Sequence, residues 1–145
     1  MNQNQEKSFA AKHAPETGVD KDLQAAIAKR VSTGDEIPCA IAFDIAQQLE
    51  ATPEEIGRTI DLLNIRLTKC QLGLFGYQPN KKIVTPTKTI EPQIEVSIRE
   101  ALVDNSLSCR KAWEIAFQLG RRKMIVSSTC EALSIKIKPC QLGAF

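Results

Sequence analysis

The chain has 145 residues, 43% apolar and 25% charged, with a net charge of only +2, the balance of an ordinary globular protein. No apolar run approaches the roughly 18–20 residues needed to cross a bilayer, and no apolar stretch follows a basic start as in a secretory signal, so the expected compartment is cytoplasmic. Five cysteines, an odd number without an export signal, point to reduced thiols and against a disulfide framework.

Residues 1–18 are polar, follow no period and carry the one histidine, His13. They read as a mobile tail, with His13 as solvated surface. A helix is expected over 20–31, where Leu23, Ile27 and Val31 recur on one face and Asp20 suits the N-cap. Thr33-Gly34-Asp35 breaks it, and Glu36-Ile37-Pro38 is short and extended because Ile37 precedes a proline. The second helix covers 39–50, with Ala42, Ile45, Ala46 and Leu49 as its buried stripe. Thr52, Pro53 and Glu55 then form a capping box that opens a third helix to about residue 63, with Ile56, Ile60 and Leu63 inward. Residues 65–71 alternate like a strand. Gly73 and Gly76 permit a turn that folds Leu74, Phe75 and Tyr77 back on the core.

Residues 78–92 hold Pro79, Pro86 and Pro92 with three lysines and three threonines. They read as a linker with room for a short strand at 82–84. Ile94, Ile98 and Leu102 then mark another helix, and Asp104-Asn105-Ser106 breaks it. Ser108 caps a helix that runs to 119, and Gly120 ends it in a left-handed conformation. The last helix carries Val126, Cys130 and Leu133 inward, and 135–140 forms a strand.

The second series copies the first. A shift of seventy residues pairs Cys39 with Cys109, Ala42 with Ala112, Ile45-Ala46 with Ile115-Ala116 and Gln48-Leu49 with Gln118-Leu119. It also pairs Thr59 with Thr129, Leu63 with Leu133, Ile65 with Ile135, Cys70-Gln71-Leu72-Gly73 with Cys140-Gln141-Leu142-Gly143, and Phe75 with Phe145. The chain is a tandem duplication of a unit of about 50–60 residues, a size at which a lone core is marginal. The expected division is a tail at 1–18, a first module at 19–77, a linker at 78–92 and a second module at 93–145. Charge separates the copies. The first module has six Lys/Arg against nine Asp/Glu, the linker three against one, and the second module eight against five.

The string Ile115-Ala116-x-x-Leu119-Gly120, with Val126 next inward, resembles the helix-turn-helix signature, and so does Ile45-Ala46-x-x-Leu49 followed by Thr52 and Ile56. Alanine fits where two helices cross, glycine ends the first of them, and the later aliphatic residue anchors the second underneath. With a strand after the third helix, each module is similar to a winged-helix domain. The resemblance implies a mostly α chain of two tandem three-helix helix-turn-helix modules, each with a short strand or wing.

That family resemblance implies binding to double-stranded DNA, with the third helix entering the major groove by its first turns. In the second copy this region offers Arg121, Arg122, Lys123, Ser127 and Ser128, and Lys136 and Lys138 stand on the strand where a wing meets phosphates. These seven are the candidate DNA-binding residues. Met124 and Ile125 are apolar at positions that a groove-facing helix often keeps polar, so they either pack beneath the helix or meet a partner. In the first copy Glu54 and Glu55 occupy the same turn and would repel phosphates. The first module is therefore expected to serve dimerisation or protein contact. The expected function is a transcriptional regulator. The alternatives are an adaptor built from helix-turn-helix modules, serving a redox enzyme or its maturation, and a thiol- or metal-based sensor.

No catalytic residue, cofactor or metal ligand is expected. The folded region has no histidine, Gly-rich phosphate loop or evident acid pair. Cys39, Cys70, Cys109 and Cys140 recur by duplication and lack the spacing of a short ligand pair. Cys130 replaces Ile60 and reads as a small buried hydrophobe. Trp113, paired with Phe43, lies just off the buried stripe, where it packs between helices or at an interface between the halves.

Overall fold

The computed structural model of the protein describes residues 20–31 and 34–145. The tail expected at 1–18, His13 within it, and Thr33 lie outside the described residues. Helices dominate and strands are two or three residues long, so the chain is mostly α. It divides into two compact units, the first ending at Lys69 and the second covering Cys70–Phe145.

The first unit runs α1 (Lys21–Arg30), β1 (Glu36–Pro38), α2 (Cys39–Gln48), α3 (Pro53–Leu62) and β2 (Arg66–Thr68). Asp20 caps α1, its Oδ1 accepting from the amides of Asp22 and Leu23. Thr52 caps α3, its hydroxyl oxygen accepting from the Glu55 amide at 3.1 Å, with Pro53 in the first helical position. Leu23, Ile27, Ile37, Ala42, Ile45, Ala46, Ile56 and Ile60 are buried, which is the expected apolar stripe of each helix. Leu49 departs from it. The helix stops at Gln48, and Leu49 is left exposed at its end.

The second unit contains α4 (Pro92–Ala101), β3 (Ser106–Leu107), α5 (Cys109–Leu119), α6 (Lys123–Ala132) and β4 (Lys136–Ile137). Ser108 caps α5 through the Lys111 amide. Gly120 ends it at φ 64°, a left-handed angle that glycine takes without a Cβ clash. The core of this unit gathers Ile94, Ile98, Leu107, Ala112, Ile115, Ala116, Val126, Cys130 and Ile137, together with Cys70 and Leu72.

The presence of Cys70 and Leu72 in that core moves the division between the units. The periodicity predicts a module end at 77 and a linker over 78–92, whereas the division falls after Lys69. Leu72 is fully buried and Val84 nearly so. The Ile83 and Val84 amides both donate to the Gly73 carbonyl, at 2.9 and 3.1 Å. Because both bonds converge on one carbonyl instead of a neighbouring strand, the strand expected at 82–84 does not form. Residues 72–87 form a strap within the second unit.

The strands also differ from a wing. β1 pairs with β2 in parallel, Ile37 opposite Leu67, and β3 pairs with β4 in parallel, Leu107 opposite Ile137. A wing is an antiparallel hairpin following the third helix, and none occurs among the described residues. After each strand the chain instead closes a loop on itself. The Cys70 amide donates to the Phe75 carbonyl and the Cys140 amide to the Phe145 carbonyl.

Candidate functional site

The expected DNA-reading surface is the outer face of α6. Met124, Ser127, Ser128 and Glu131 are spaced three or four apart and so share one side of the helix. The strap meets all four. Ser127 is fully buried and donates its hydroxyl to the Leu72 carbonyl at 2.7 Å. Ser128 donates to the Thr85 carbonyl at 2.6 Å, and the Thr87 amide donates to the Ser128 carbonyl at 3.1 Å. Lys82 pairs with Glu131 at 2.8 Å. Met124 lies against Gly73 so closely that a Cβ on that glycine would stand 2.8 Å from the Met124 Cε. Ser127 and Ser128, expected to face DNA, are therefore committed to the protein's own backbone. Their hydroxyls satisfy carbonyls that the strap would otherwise bury or leave half-hydrated.

Each basic candidate has its own surroundings. Arg121 is exposed, with its guanidinium on the Glu91 carboxylate at 2.9 Å and a further bond to the Leu119 carbonyl. The hydrogen bond and charge of Glu91 raise its pKa further, keeping it fully cationic. Arg122 is the N-cap residue of α6 and gives that helix no side-chain cap. It is exposed and makes no ion pair among the described residues. Lys123 places its Nζ 4.5 Å from the centroid of the Trp113 ring, a cation–π contact. Lys136, on β4, and Lys138, just after it, are exposed.

A groove of about 550 Å³ opens between α5 and the start of α6. Arg110, Trp113, Phe117, Arg121, Arg122 and Lys123 line it. Glu114, also on its wall, is paired with Arg110 at 3.2 Å and Lys111 at 3.4 Å. Phe117 is 88% exposed, the most exposed large apolar side chain described. Motif reasoning found the cations of α6 but missed Arg110 and Phe117, and it assigned Trp113 to packing. The legible signal was the repeat itself: Arg110, Phe117 and Arg121 stand opposite Ala40, Gln47 and Ala51.

The thiols are sheltered. Cys39, Cys70, Cys109 and Cys130 are buried, Cys140 is half-buried, and none of the five is in a disulfide. Burial pushes Cys109 up to about 11 and Cys130 to about 12, and it raises Cys70 as well. A thiolate is the reactive form, so these environments disfavour nucleophilic or redox use. The Gln141 amide donates to the Cys109 sulfur at 3.4 Å, and Phe75 and Phe145 meet edge to face at 5.7 Å. The two Cys-Gln-Leu-Gly loops are thus brought together by their aromatic ends. Among the described residues no group of three or more His, Cys, Asp or Glu is placed to hold a metal ion, and no helix is long and apolar enough to cross a membrane.

No protein-family model, curated protein or solved structure matches this chain.

Proposed function

We propose that the chain is a protein-binding adaptor built from two tandem three-helix modules of helix-turn-helix type, and that it is not an enzyme. The carrying observation is the strap over α6. A helix that enters the major groove must present its outer face to base edges. Here Met124, Ser127, Ser128 and Glu131 are engaged by residues 72–87. Removing the strap would also withdraw Leu72 from the core, at a cost of several kcal/mol by analogy with deleting a buried leucine. The first module, whose third helix opens with Glu54 and Glu55, has the wrong charge for phosphates.

The test is binding of mixed-sequence duplex DNA at low salt, with and without Arg121→Ala, Arg122→Ala and Lys123→Ala together. The adaptor reading expects only weak binding that disappears with added salt, as for any basic surface. Tight binding abolished by the triple substitution, with the fold intact, would contradict it.

A second reading keeps the DNA-binding regulator. Its support is the exposure of Arg122, Lys136 and Lys138, cations able to contact phosphates without inserting a helix. It expects affinity to fall on Lys136→Ala and Lys138→Ala.

A further inference from the structure

We propose that the groove between α5 and the start of α6 is the adaptor's docking site, and that its occupant is an acidic peptide segment of a partner protein carrying one large apolar anchor. This rests on the adaptor reading and names the partner's chemistry.

Duplication supplies an internal control. Ala42, Ile45, Ala46 and Thr59 recur unchanged as Ala112, Ile115, Ala116 and Thr129, and all are buried. The groove positions do not recur. Where the second copy has Arg110, Trp113, Phe117, Arg121, Arg122 and Lys123, the first has Ala40, Phe43, Gln47, Ala51, Thr52 and Pro53. The α2–α3 turn is closed without a cation and without an exposed aromatic. The shared fold therefore does not require those groups, yet the second copy has four cations there and a phenylalanine 88% open to water.

The arrangement suits a peptide better than a nucleic acid. Arg121 and Arg110 are already offset by Glu91 and Glu114, so the groove lacks the unbroken line of unpaired cations that a run of phosphates needs. The Trp113 ring already carries the Lys123 ammonium, so it is a poor platform for stacking a base. Arg122, with no carboxylate partner among the described residues, offers a charge-assisted bond to an incoming acid. Phe117 offers apolar area to an anchoring side chain, the usual pairing of a central anchor with a polar rim.

The experiment selects peptides from a random-sequence display library on the full chain, with counter-selection on Phe117→Ser/Arg122→Glu. Trp113 is the only tryptophan, so its emission reports occupation directly. The expected outcome is an enriched pool of net negative charge with one aromatic or aliphatic anchor, whose members shift Trp113 emission. Their affinity should fall by at least about tenfold on either Phe117→Ser or Arg122→Glu. A pool without acidic bias, an empty selection, or equal binding to the double variant overturns the proposal. Short single-stranded oligonucleotides are titrated in parallel. If they alone shift Trp113 emission and lose this on Phe117→Ser, the groove belongs to nucleic acid and the proposal fails. Failure of the adaptor reading looks different: tight duplex binding that is indifferent to Phe117→Ser.

Discussion

The Ser127 hydroxyl lies 2.7 Å from the Leu72 carbonyl, fifty-five residues earlier in the chain. That bond ties the loop after β2 to α6. Ser127 is fully buried, so Ser127→Ala leaves the carbonyl without its partner and should cost about 1–3 kcal/mol. Leu72→Ala should cost about 2–5 kcal/mol, since Leu72 is also fully buried. Denaturant titration of the full chain checks both. Neither cost would be seen if the strap were loosely held.

Gly73 and Gly143 occupy the same place in the two loops, at φ +75° and +82°, so alanine strains the backbone at both. Only Gly73 is crowded. A Cβ there would meet Met124 Cε at 2.8 Å and side-chain atoms of Ile83 and Val84 at 3.2 Å, whereas nothing lies within 4 Å at Gly143. Gly73→Ala should therefore destabilise by about 1 kcal/mol or more beyond Gly143→Ala. Equal losses in thermal unfolding would mean that Met124, Ile83 and Val84 move aside at little cost.

Thiol titration gives a pH dependence of definite sign. In the folded chain Cys109 and Cys130 hold their protons to about pH 11 and 12, above the ordinary thiol value of 9. The unfolded chain loses those protons first. The stabilisation is complete below about pH 9 and declines as pH rises toward 11 for Cys109 and 12 for Cys130, by about 1.4 kcal/mol per pH unit for each thiol. Denaturation midpoints between pH 8 and 11 measure this, using roughly the window in which free thiols ionise. At neutral pH both thiols should resist alkylation until the chain unfolds.

Phe117→Ser should change stability by less than about 0.5 kcal/mol, because the ring is 88% exposed. Melting curves of the substituted and natural chains should overlay. A clear loss would mean that Phe117 is packed in solution and unavailable as an anchor.

The helices were legible because their signals are local. Asp20, Thr52 and Ser108 cap where side-chain chemistry places them, and Gly120 ends α5 at the left-handed angle its position demands. The strap was not legible. Pro79, Pro86 and the lysines of 78–92 have the composition of a linker, and composition does not reveal that Leu72 and Val84 find a core to fill. The same contact bears on the candidate site. Ser127 and Ser128 look like polar residues of an open helix face, but their acceptors, the carbonyls of Leu72 and Thr85, carry no side-chain signature. Parallel pairing of β3 with β4 was equally hidden, since period-two alternation does not state direction.

The most direct test of the closed α6 face is selection from a duplex DNA library of randomised sequence on the full chain. The account predicts that no consensus emerges and that retained duplexes bind weakly and lose binding with salt. A reproducible consensus whose binding falls on Met124→Ala and Ser128→Ala would contradict it, because it would show that those side chains reach base edges and not the strap.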